Sequence, residues 1–131
     1  MAAVTVAETE QKVLDGFGEG KLLVRSSGKG AVATDATLTT ERPGPFELLA
    51  VLIHFDNTPD SITCTVTLDS ALGTPPEYDN ELDDFGGATT DQQRYFLPGT
   101  PIPVFPGDQI AVLAPASTGD IAYIQVITRD L

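Results

Sequence analysis

Ile62-Thr63-Cys64-Thr65-Val66-Thr67-Leu68-Asp69 alternates without a break. Ile62, Cys64, Val66 and Leu68 share one face of an extended chain; Thr63, Thr65, Thr67 and Asp69 share the other. A period of two built from β-branched residues is what a half-buried antiparallel strand requires. The stretch therefore predicts an all-β protein. On its N-terminal side, Phe46–Phe55 places Leu49, Val51, Ile53 and Phe55 on one face and Leu48, Ala50 and Leu52 on the other. A strand apolar on both faces belongs in the middle of a sheet, covered from both sides. The turn Asp56-Asn57-Thr58-Pro59-Asp60 joins the two strands, which predicts a hairpin-like unit.

Turn chemistry divides the rest of the chain in the same way. Strands are expected at Lys21–Arg25, before a Ser26-Ser27-Gly28-Lys29-Gly30 turn, and at Ala31–Thr39. Others follow at Tyr78–Asp83, Gln93–Leu97, Gln109–Leu113 and Ile121–Thr128, with a short extended piece at Val104. About eight strands with turns every ~8–12 residues describe a single antiparallel sandwich, jelly-roll-like. Glycine and proline recur too often for a long helix. Residues 21–131 form this sandwich domain, and residues 1–20 are expected to be an N-terminal arm with a hinge at Gly16, Gly18 and Gly20. No strong strand precedes those glycines and no helix follows, so they are not a dinucleotide fingerprint.

Composition excludes several classes of function. With 7 Lys and Arg against 19 Asp and Glu, the chain carries a net charge of -12. It has no basic cluster to neutralise phosphates, so nucleic acid is not an expected partner. The longest apolar run, Leu48–Ile53, is far shorter than the ~18 residues of a spanning helix, and no membrane partner is expected. The N-terminus lacks a charged and apolar leader, so export is not expected. One cysteine rules out an internal disulfide and suits a reducing cytoplasm.

The candidate chemistry is sparse. His54 is the only histidine and lies mid-strand beside no evident nucleophile. Cys64 falls on the presumed inner face and reads as a small buried hydrophobe. Zinc would need more Cys and His than the chain has. Glu77, Asp79, Glu81 and Asp83 stand two apart, so in a strand all four would point to one side. Such a ladder offers oxygen ligands for calcium, but the favoured reading is an edge strand kept unpaired by like charge. No catalytic group, cofactor or bound metal is expected. The final strand is apolar on both faces: Ala122, Ile124 and Val126 on one, Ile121, Tyr123 and Ile127 on the other. A second layer, from the sandwich or from another subunit, should cover it.

The order of these segments resembles a known group. An apolar strand ends in His54-Phe55, and Thr58-Pro59, the Ile62–Asp69 strand and Gly73 come next. Then follow Tyr78-Asp79 through Leu82, Phe96-Leu97-Pro98, Pro106-Gly107-Asp108 with Ile110 and Val112, and the last strand. From about Phe46 to Thr128 the chain is similar to the small β-sandwich head decoration (cement) and head-fibre proteins of tailed bacteriophages. Before its last strand it has Ser117-Thr118-Gly119-Asp120 where that group usually has an Asn-Thr-Asp-type turn.

The resemblance implies a non-enzymatic virion protein, made in the host cytoplasm and bound to the capsid exterior. It would act as a homotrimer that bridges subunits of the major capsid protein. Residues 1–20 and one end of the sandwich would touch the shell, with acidic loops outward. Val4, Val6, Val13 and Leu14, together with Ile121, Tyr123 and Ile127, are the candidates for capsid or oligomer contacts. The competing expectation is a receptor- or carbohydrate-binding module of a phage fibre, with calcium assistance from the acidic ladder and a platform built from Tyr78, Tyr95 or Tyr123.

Overall fold

The computed structural model describes residues 4–5, 9–14, 22–74, 76–96 and 102–131. They form eleven strands and no helix: β1 (Val4–Thr5), β2 (Thr9–Leu14), β3 (Leu22–Ala31), β4 (Ala36–Thr40), β5 (Phe46–Phe55), β6 (Ile62–Asp69), β7 (Asn80–Gly87), β8 (Asp91–Tyr95), β9 (Ile102–Val104), β10 (Gln109–Ala114) and β11 (Ile121–Asp130). Two sheets face each other, β1-β4-β10-β6-β7 and β2-β3-β11-β5-β8, and β9 continues the edge of β5. All pairs are antiparallel except β1 with β4. The expected all-β sandwich is present, with more strands than the eight expected.

The core lies between the sheets. Phe46, Leu48, Val51, Ile53 and Phe55 of β5 meet Leu38, Cys64, Val66, Ile110 and Val112 of the other sheet, and all are buried. Burying a side chain of this size stabilises the fold by about 2 kcal/mol. A buried Cys64 thiol donates across the sandwich to Gln92 of β8 at 3.3 Å.

Four sequence expectations are corrected by the pairing. β5 and β6 are not a hairpin: the chain arches from one sheet to the other between them. Ser26–Gly30 is not a turn, because it pairs residue by residue with Gln125, Val126 and their neighbours in β11, and the true turn comes at residues 32–35. Partners on both sides supply the hydrogen bonds that a Ser-Gly turn would otherwise make for itself. In β5, a bulge opposite Ile127/Thr128 breaks the alternation, so Phe46 and Leu48 point inward together with Val51, Ile53 and Phe55. The acidic stretch becomes a strand only at Asn80, and Glu77 lies in the preceding turn.

The stretch expected as an arm supplies one edge strand to each sheet, β1 to one and β2 to the other. Gly16, Gly18 and Gly20 of the expected hinge lie outside the described residues. β7 and β8 join the two sheets along one side, where Arg94 pairs with Asp83 at 2.7 Å and donates to the Asp84 carbonyl at 3.0 Å. Gly86, at φ 156°, lets β7 approach β6: a Cβ there would lie 2.3 Å from the Ile62 carbonyl oxygen.

Candidate functional site

The two ends of the sandwich differ in chemistry. One end is built from residues 32–35, 56–61, 88–90 and 115–120, and it is polar. Asp35 accepts the Ala116 amide at 2.7 Å, Asp60 accepts the amide and hydroxyl of Thr118, and Asn57 N bonds Gly119 O at 3.1 Å. The Thr118 bonds hold the Asp60 carboxyl below its ordinary range. None of the large hydrophobic side chains exposed among the described residues lies here.

The opposite end carries four of those five: Leu72 (62% exposed), Tyr78 (59%), Phe105 (70%) and Leu131 (47%). Hydrogen bonds and strand pairing link the segments that carry them. Leu131 N donates to Pro45 O at 3.0 Å, and the pairing of Phe46 with Val104 brings Pro45 beside Phe105. The Pro106-Gly107 turn closes through Asp108 N to Phe105 O at 3.1 Å. Asp108 also accepts the Ala71 amide at 2.8 Å, which ties this turn to the 70–74 loop. Gly73 sits so close to Tyr78 that a Cβ would lie 2.9 Å from the ring. Hydrogen bonds therefore order the loops on which the four side chains stand exposed. Ordinary folding economy would not expose apolar groups on loops so firmly tied, and such patches mark contact surfaces.

A hollow of about 470 Å³ opens at this same end, lined by Asp69, Ser70, Ala71, Asp79, Gly107 and Gln109. Partial burial, with the charge of Asp79 nearby, raises the Asp69 carboxyl above its ordinary value. Asp79 accepts the Ser70 amide at 2.9 Å. Two carboxylates in a hollow at the same end as the exposed apolar groups offer a complementary seat for a lysine or arginine of another protein.

The sequence-derived candidates scatter. Glu77 accepts the Thr74 amide at 2.6 Å, and Asp79 bonds Ser70. A bulge opposite Val66/Thr67 sets Glu81 across from Thr67 on the outer face and Asp83 across from Val66, where it meets Arg94. The ladder does not share one side. Among the described residues no three His, Cys, Asp or Glu side chains gather as a metal-holding group. Val4 lies in β1, Val13 and Leu14 lie in β2, and Val6 lies outside the described residues. Ile121, Tyr123 and Ile127 are half-buried on the outer face of their sheet. His54 Nδ1 bonds Asp91 at 2.6 Å on that outer face, whereas Cys64 lies inside, its thiol pushed up to about 12 by burial. The two are not a catalytic pair.

Sequence reasoning missed Leu72, Phe105 and Leu131. The available signal was an apolar residue placed directly before a turn glycine or Pro-Gly, as in Leu72-Gly73 and Phe105-Pro106-Gly107.

No family model matches the chain, and no curated protein matches it. Among solved structures, a chain described as "CBM4 structure and function" is similar at a TM-score of 0.32 and 13% identity, over 90% of this chain and 91% of that one.

Proposed function

We propose that the protein is a non-enzymatic structural component of a bacteriophage virion, a decoration protein that docks end-on to the capsid exterior and stiffens it. The observation that carries this reading is the apolar end, where Leu72, Tyr78, Phe105 and Leu131 stand exposed on loops tied by backbone bonds. Apolar groups on ordered loops, at the same end as an acidic hollow, favour a rigid partner that presents a basic side chain. The polar end, with Asp35, Asp56, Asp60 and Asp120, then faces solvent, and the net charge of -12 discourages nonspecific adhesion between particles. The sequence resemblance to head decoration proteins supplies the partner, the major capsid protein. It also supplies the stoichiometry, a homotrimer bridging neighbouring capsid subunits.

Cryo-electron microscopy of shells assembled from the major capsid protein of the same phage, with the purified protein added, tests the reading. Added density should appear at regular positions, with the 70–79 and 105–108 loops toward the shell. Bare shells at saturating protein would contradict it.

A further inference from the structure

Tyr95 is the fifth large hydrophobic side chain left exposed, and it stands on the outer face of the β3-β11-β5-β8 sheet, away from the docking end. The middle of that face is apolar. Ile121, Tyr123 and Ile127 of β11 and Leu52 of β5 are half-buried there, and the described residues place no third layer over them. Four strands about 4.8 Å apart and the length of β11 give a face of roughly 600 Å², the scale of one partner's side of a standard protein interface.

Charge changes sign across the strands of this face. One row of the register runs from Lys29 of β3 through Tyr123 of β11 and His54 of β5 to Asp91 of β8. Lys29 and Asp91 are exposed at its two ends, about 14 Å apart along the row, and do not pair within one copy. Asp56 adds a carboxylate on the β5 side, 3.5 Å from the Tyr123 hydroxyl, and the charge of Asp120 acts on the same hydroxyl.

We propose that this face packs against a second copy of the chain about an axis parallel to the strands, with Lys29 of each copy on Asp91 of its neighbour. That axis lays the β3 side of one copy over the β8 side of the next. The cation then meets the carboxylates, and the apolar middle of β11 and β5 meets its own counterpart. An axis across the strands would lay β3 on β3 and β8 on β8, which opposes like charges. Aligned strands also suit the packing of two twisted sheets, and Tyr95 gains a cover on the neighbour's β3. The contact does not rest on the capsid reading, because it forms in the free protein.

Analytical ultracentrifugation of the full chain across a concentration series tests this. The wild-type chain should sediment with a mass above that of one chain. Lys29→Asp and Asp91→Lys each place like charges at the contact, and each should weaken association at least about tenfold. The double variant Lys29→Asp/Asp91→Lys restores opposite charges and should associate as the wild type does. Both positions are exposed, so all four proteins should melt cooperatively. A wild type that stays monomeric throughout, leaving the face to a different partner, would overturn the proposal. So would single variants that associate like the wild type, or a double variant as weak as the single ones. Failure to dock on shells with association intact would count against the capsid reading alone.

Discussion

Arg42 grips Asp130 with two prongs, Nε to Oδ1 at 3.1 Å and Nη2 to Oδ2 at 3.2 Å. The guanidinium is almost fully buried, and the pair clasps the loop after β4 to the end of β11, next to Leu131 and Pro45. Removing Asp130 takes a two-pronged carboxylate away from a guanidinium in a site with little water. Asp130→Ala should therefore destabilise the fold by about 2 kcal/mol, below the full cost of a deeply buried pair because Asp130 is partly exposed. Chemical denaturation of wild type and variant measures it. A smaller loss is expected for the double variant Arg42→Met/Asp130→Leu, which removes both members of the pair.

The raised carboxyl of Asp69 has a consequence for pH. Its ionised form is less favourable in the folded chain than in the unfolded chain, since burial and Asp79 both oppose the charge. Its contribution is thus favourable below the ordinary value of 3.8 and is lost as pH rises through the folded value. Asp69→Asn should raise the melting temperature at pH 7, and the gain should vanish in acid below that ordinary value. Thermal melts of the two proteins across this range check the sign.

Cys64 should be chemically silent while the protein is folded. Its thiol is shifted from 9.0 to about 12 by burial, so very little thiolate exists at pH 8. Reaction with a disulfide reagent should be slower in the native protein than in denaturant by about a thousandfold. A native rate near the denatured one would mean that the thiol reaches solvent.

Thr40 is fully buried and its hydroxyl has no hydrogen-bond partner among the described residues. Replacing it by valine removes an unsatisfied polar group and keeps the shape. Thr40→Val should stabilise the fold by about 1 kcal/mol, read from the denaturation midpoint.

Much of this architecture was legible in the sequence because it depends on local alternation. Phe46–Phe55 and Ile62–Asp69 declare themselves through their apolar residues, and the structure places strands there. What alternation cannot reveal is pairing. The bulges beside Leu49 and Leu82 shift the inward phase by one residue, and they scatter an acidic ladder that reads as one-sided. Ser26–Gly30 has the composition of a turn and becomes a strand only because β11 lies alongside it. The apolar end was hidden for a related reason. Leu72, Phe105 and Leu131 are far apart in the chain and come to the same end of the sandwich, where the Pro45–Leu131 and Ala71–Asp108 hydrogen bonds tie their loops.

Docking through that end is the central claim, and a co-sedimentation assay with capsid shells measures it directly. Phe105→Asp/Leu131→Asp changes only exposed side chains, so its melting temperature should match wild type. The account predicts that wild type pellets with the shells and that this variant stays in the supernatant. Equal pelleting of the two proteins would contradict it.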